Sequence, residues 1–277
     1  KEMILFSMWT LGESILIWFT SYVDVFIIGT IFSSYSIGIY KTSMKTINQI
    51  LALITGSTNT VLFTALSREQ DDEERFNRTF LGFQHLASYI VIPMGIGIFA
   101  YKDFVTYLLL GSQWGDAIDF IGIWELVGSF YVVLGGYCTE ADRAKGKPKT
   151  SAIVQLIYII IIFIVINYTK NISFEAIYIS RTISRVLFVG IHFVAIKKVC
   201  GISPMRMISN IWSAICGASI MYMVSILLHR ISNDFIWCAI SIVICMIAYF
   251  GFLLVFPKTR NDINPYIERL IKREKIK

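Results

Sequence analysis

Apolar residues run through this chain in long blocks with almost no polar interruption, and the polar residues gather between the blocks. Eight blocks reach the roughly 17 to 25 residues that a helix needs to cross the hydrocarbon core of a bilayer. They cover about Met3 to Phe32, Ile37 to Leu66, Phe80 to Tyr101, Ala117 to Glu140, Ser151 to Tyr168, Ser173 to Lys197, Ile208 to His229 and Phe235 to Phe256. None alternates apolar with polar positions, as the strands of a membrane barrel must. The pattern therefore predicts an all-α integral membrane protein of eight transmembrane helices, because a helix satisfies its own backbone groups in lipid.

Local signals refine these elements. Pro93, Gly95 and Gly97 fall together in the third block and predict a bend or a loosened stretch of hydrogen bonds there. Phe104 to Trp114 is apolar but too short to cross, which places it at the outer interface with Tyr107 and Trp114 in the aromatic belt. Gly135 and Gly136, and the run Gly217, Ala218 and Ser219, are small enough to let helices pack closely. The longest polar stretch, Ser67 to Arg78, has strong helix formers and reads as an extension of the second span.

Composition agrees: 56% of the residues are hydrophobic, 16% are charged and the mean hydropathy is +0.65, which leaves no room for a soluble domain. The first block is too long for a signal peptide and lacks a basic leader. A chain that opens on Lys1-Glu2 directly against a span reads as the later part of a longer protein. The five cysteines have no C-x-x-C spacing, so neither a disulfide framework nor a zinc site is indicated, and each reads as a small apolar packing residue.

Charge in the connections sets the orientation. Ten basic residues, from Arg68 to Arg206, follow the second, fourth and sixth spans, against three (Lys102, Lys170 and Arg230) after the third, fifth and seventh. That bias puts both termini in the cytoplasm. In the tail, Asn264 reads as an N-cap, Pro265 as the first helical residue, and Ile263, Ile267, Leu270 and Ile271 as one apolar stripe, which describes a basic amphipathic helix on the inner leaflet. The net charge of +6 follows from such anchoring and does not imply nucleic acid, for which there is no module.

Candidate chemistry lies inside the spans. Lys41 with Lys45, and Arg181 with Arg185, are basic pairs at helical i, i+4 spacing, and Glu13, Asp24 and Glu125 are acids at comparable depth. Counting about 1.5 Å per residue puts Asp24, Lys45, Glu125 and Arg181 roughly 10 to 12 Å below the outer surface, with Arg185 and Glu13 deeper. Ions in lipid are costly and normally face a bundle interior or a wet cavity. Two readings stay open: salt bridges inside the bundle, with Lys41 snorkelling outward and Lys45 held by Asp24, or a water-reached cavity for an anion. Glu140, Asp142 and Glu175 sit at span ends and read as solvated, and the lone His192 reads as a packing residue ahead of a proton relay.

Four stretches in order carry a resemblance: Tyr22 to Lys45 (YVDVFIIGTIFSSYSIGIYKTSMK), Val61 to Phe83 (VLFTALSREQDDEERFNRTFLGF), Ile92 to Ala100 (IPMGIGIFA) and Leu108 to Ile118 (LLLGSQWGDAI). They resemble the bacterial polysaccharide flippases of the multidrug/oligosaccharidyl-lipid/polysaccharide exporter superfamily. Asp24, Gly29, Gly38, Tyr40, Ser67, Arg68, Gly111 and Trp114 match that pattern, while Thr64 stands where the family usually has proline. The resemblance implies the C-terminal part of a fourteen-helix, two-lobe transporter. Residues 1–200 would form a six-helix lobe, 201–257 an additional helix pair and 258–277 the tail.

The same resemblance implies flipping of an undecaprenyl-pyrophosphate-linked oligosaccharide across the bacterial inner membrane by ion-coupled alternating access, with no enzymatic step and no cofactor beyond a coupling proton or sodium ion. A glycan polymerase and chain-length machinery would be its partners beside lipid. Arg181, Arg185, Lys45 and Lys41 would bind the anionic headgroup, and Asp24, Glu125 or Glu13 would carry the coupling ion. The alternatives are an organic-cation antiporter, which the surplus of cations disfavours, and a membrane-embedded glycan polymerase or ligase, which the short outer loops disfavour.

Overall fold

The computed structural model describes residues 2–255, with side chains from residue 7 onward, so the expected basic tail lies outside the described residues. Every regular element among them is helical: α1 (Glu2–Thr20), α2 (Val23–Ile28), α3 (Ser34–Arg68), α4 (Glu73–Ala100), α5 (Lys102–Leu110), α6 (Ile118–Tyr131), α7 (Tyr137–Ala144), α8 (Pro148–Thr169), α9 (Phe174–Cys200), α10 (Pro204–Asn210), α11 (Trp212–His229) and α12 (Phe235–Val255). A 3-10 turn, Ser112–Ala117, leads into α6, and a wide π-helical turn, Val132–Gly136, joins α6 to α7 in one rod. Seven helical stretches are long and apolar enough to span a membrane. An eighth is α9 taken with α10, which bends from it by 112°. The chain is a multi-pass membrane protein, as its hydropathy predicts.

Caps explain most boundaries. Ser33 accepts from the backbone N–H of Ser36 ahead of α3, Asp72 from that of Arg75 ahead of α4, and Ser173 from that of Ala176 ahead of α9. Each satisfies one donor that a helix start leaves free. Pro148 opens α8 at a position where its missing N–H costs nothing. Gly201, at φ 70°, ends α9 in a conformation that a side chain would strain.

Two expectations change. The first block is broken, not continuous: α1 stops at Thr20, Ser21 and Tyr22 form a turn, and α2 restarts at Val23. Ser67 to Arg78 does not prolong α3, which ends at Arg68; the acids after it turn the chain, and Asp72 caps α4. At Pro93, α4 runs through unbroken. The carbonyl four residues back, that of Tyr89, lacks its usual N–H donor and accepts instead from the Tyr249 hydroxyl of α12 at 3.0 Å. A neighbouring helix thus satisfies the group that proline leaves unbonded.

The core is mostly apolar, but the lipid-facing surface is apolar too. Large apolar side chains such as Leu53, Phe163, Ile183 and Ile247 face outward, while Glu13, Asp24, Glu125, Arg181, Arg185 and His192 are buried. The closest helix pairs are α4 with α6, α1 with α8, α8 with α9, and α11 with both α12 and α4. Gly95 makes the α4–α6 approach possible, since a Cβ there would collide with the Ser129 side chain. Gly217 lets the Tyr249 ring of α12 lie against α11. The last two helices therefore hang on α4, and at one end Asn210 fastens them: its amide donates to the Leu81 carbonyl at 2.7 Å and to Gln84 Oε1 at 3.1 Å.

Candidate functional site

A polar cleft of about 350 Å³ opens between α1, α3, α8, α9 and the α6–α7 rod. Three arginines line it: Arg181 and Arg185 from α9, and Arg143 from α7. Four residues apart on one helix, Arg181 and Arg185 reach the same space as predicted. Their surroundings differ.

Arg181 is fully engaged. Its Nε donates to Asp24 Oδ2 at 3.0 Å, Nη1 to the Tyr158 hydroxyl at 2.6 Å and the Ser184 hydroxyl at 3.2 Å, and Nη2 to the Thr20 carbonyl at 3.3 Å. That last bond uses the break between α1 and α2. Thr20 ends α1, so its carbonyl has no N–H one turn on, and the guanidinium takes that place. Asp24 also accepts from the Tyr40 hydroxyl at 2.8 Å and from the Val25 N–H at 2.8 Å. This is a closed ion pair in which four of the guanidinium's five N–H groups and both carboxylate oxygens are bonded, the kind of arrangement a buried pair needs to be stable.

Arg185 touches no carboxylate. Its Nη1 donates to the Trp124 carbonyl at 3.0 Å and Nη2 to Asn48 Oδ1 at 3.2 Å, and its guanidinium carbon lies 3.4 Å above the Trp124 ring centroid. The Trp124 indole N–H donates to the same Asn48 oxygen at 3.3 Å, which fixes the ring beneath the cation. An aromatic face attracts the charge without neutralising it. Arg185 thus keeps its full charge and part of its donor fork at the cleft.

Arg143 takes Glu13. Its Nε donates to Glu13 Oε2 at 2.9 Å and its Nη1 to Glu140 Oε1 at 3.4 Å. Depth counting put Glu13 beside Arg185, and the structure gives it to an arginine that sequence reading assigned to a cytoplasmic connection. Glu140 and Asp142 are likewise not solvated span ends. The first pairs with Arg143, and the second is buried with Oδ2 accepting from the Ser151 hydroxyl at 3.2 Å. Glu175 is exposed as expected.

The lysine pair goes elsewhere. Lys41 and Lys45 line a neighbouring groove of about 260 Å³ with Tyr22 and Gln49, on the far side of Met44 and Asn48 from the arginines. Lys45 does not hold Asp24, whose charge Arg181 takes. Glu125 is buried beside Trp124, and neither of its oxygens has a hydrogen-bond partner. His192 packs edge-on against Phe188 at 4.3 Å between ring centroids, and neither ring nitrogen is bonded. All five cysteines are free thiols.

Sequence reading missed Arg143, Asn48, Trp124 and Tyr158 as parts of the site. One signal for Arg143 was present: a glutamate as deep as Glu13 requires a cation from another helix, and Glu140 with Arg143 at i, i+3 marks an ion-pairing face.

A bundle of membrane helices with one span broken beside a cationic cleft is an arrangement that transporter folds share. Residues 1–119 match the family described as "Polysaccharide biosynthesis protein". The chain is 31% identical over 174 residues to a Klebsiella pneumoniae protein described as an uncharacterized membrane protein in the cps region, a match over 62% of this chain and 35% of that protein. Among solved structures it is similar to the lipid II flippase MurJ in an inward closed conformation, with a TM-score of 0.69 at 15% identity, over 87% of this chain and 52% of that one. The chain thus spans about a third of the length of the curated relative and about half of the solved structure. Together these findings bear out the resemblance to polysaccharide flippase-type proteins that the four motifs carry.

Proposed function

We propose that this chain forms part of a flippase that moves an undecaprenyl-pyrophosphate-linked oligosaccharide across the bacterial inner membrane, with both termini of the chain on the cytoplasmic side. The observation that carries the reading is Arg185: a buried cation on a polar cleft, pinned by an aromatic ring and an amide, with no carboxylate in contact. A pyrophosphate supplies the missing negative charge, and the guanidinium's planar fork suits its oxygens. Arg181 then orients the broken span and the cleft wall, and does not grip substrate. Lys41 and Lys45 offer point charges on the adjoining groove. Of the acids read as coupling groups, Asp24 and Glu13 are held by arginines, which leaves a coupling proton or sodium ion to Glu125. Alternating access about the cleft provides the movement, and a glycan polymerase with its chain-length machinery takes the product.

The two arginines separate under substitution. In the full-length protein, Arg185→Gln is expected to abolish surface glycan while the protein level in the membrane stays normal. Arg181→Gln is expected to lower the protein level itself, because Asp24 is left buried without its cation, a loss of about 3–5 kcal/mol. Full surface glycan with Arg185→Gln would overturn the anion-site reading.

A further inference from the structure

Among the described residues, Glu125 is a buried acid whose coupling role leaves its surroundings unexplained. It is completely buried, yet neither carboxyl oxygen has a hydrogen-bond partner, where a buried acid normally gathers two or three donors. The hydroxyl one turn along α6, that of Ser129, donates to the Leu126 carbonyl and gives Glu125 nothing. The charged group that acts on Glu125 is Arg185, whose own bonds go to Trp124 and Asn48. An acid and a cation thus lie near one another in the same bundle without touching.

Gly128 keeps the space between them open. A Cβ at that position would stand 2.8 Å from Arg185 Nη1 and 3.6 Å from Glu125 Oε2, so any side chain there would crowd both guanidinium and carboxylate. With glycine, Arg185 has two anionic partners within reach of a change of rotamer: whatever enters the cleft on one side, and Glu125 on the other.

We propose that Glu125 is the internal counter-ion of Arg185, competing with the pyrophosphate headgroup for the guanidinium and so setting how readily the headgroup is released. The inference rests on the anion-site reading of Arg185 and adds what that reading lacks. A buried cation with no competitor would hold a pyrophosphate too firmly to let it go, whereas transport needs a site that binds well enough to load and weakly enough to empty. With the cleft empty, Glu125 neutralises Arg185 across the Gly128 gap. With an anion bound, the guanidinium turns its charge to the ligand. Glu125 is a positioning residue in this scheme and does not touch the substrate.

The test is a titration of the full chain, held in lipid nanodiscs, with inorganic pyrophosphate followed by calorimetry. Glu125→Gln removes the competing charge at constant volume and is expected to tighten pyrophosphate binding by roughly tenfold. Glu125→Asp keeps the charge one methylene further back and is expected to stay within about threefold of the unmodified chain. Unchanged or weaker binding in the Gln variant would overturn the proposal, as would an Asp variant that tightens binding as much as Gln does. Arg185→Gln separates the two readings. Loss of binding there, with no effect of Glu125→Gln, removes the counter-ion role alone, whereas binding undiminished by Arg185→Gln removes the anion site and the counter-ion together.

Discussion

Asp24 holds three donors at once: the Tyr40 hydroxyl and Arg181 Nε on one oxygen, and the Val25 N–H on the other. Bonds of this kind in a low-dielectric interior make the carboxylate hard to replace. Asp24→Asn is expected to destabilise the protein by about 3–5 kcal/mol, because Arg181 stays buried without its counter-charge. Tyr40→Phe removes one neutral donor to a charged acceptor and is expected to cost about 1.5–3 kcal/mol. Thermal unfolding of the purified variants in detergent checks the ranking, and equal midpoints would show that the charge is not what matters there. Residue identity alone could not rank Arg181 and Arg185, since both are arginines on one face of one helix. What separates them is a partner 157 positions away in sequence, and periodicity carries no information about that.

Elements were far more legible. The number of spans, their helical type and their approximate limits follow from the apolar blocks. The break after Thr20 was not, because the turn residues Ser21 and Tyr22 sit inside an otherwise continuous apolar run and only the Arg181 contact shows what the break is for. At Pro93 the loosened hydrogen bonding was legible, but not its remedy: Tyr249 of another helix satisfies the carbonyl that the proline frees. The small residues of α4 serve packing. Gly95→Ala is expected to destabilise by about 1–3 kcal/mol through overpacking against Ser129. At the exposed Gly82 of the same helix nothing lies near a Cβ, and Gly82→Ala is expected to be neutral or to stabilise by up to about 1 kcal/mol. Melting midpoints of the two variants, taken side by side, decide whether Gly95 is a packing contact.

At the scale of the molecule, the final helix pair is attached chiefly through α11 to α4 and fastened by Asn210 and Tyr249. Ending the chain after Gly201 would bare the α4 face around Tyr89, Met94 and Gly97 and remove the Tyr249 hydroxyl that donates to the Tyr89 carbonyl. Such a chain is expected to elute from size-exclusion chromatography as aggregate where the full chain elutes as a single species. A symmetric peak at the expected size would show that residues up to 201 stand alone.

The wide turn Val132–Gly136 also governs rotation about the axis of the α6–α7 rod. Trp124 and Arg143 are nineteen positions apart, and at about 100° per residue an unbroken α-helix would set them roughly 100° out of phase. One additional residue looped into the wide turn takes back about that angle. Both side chains then address the same space, and Gly135 lets Phe188 and Val189 of α9 close over the turn. A helical wheel drawn straight through residues 118–144 therefore misplaces everything after Tyr131. Among related chains, the phase of the second half of this rod, more than the identity of any residue in it, will determine whether a cation at the position of Arg143 belongs to the cleft or to the lipid.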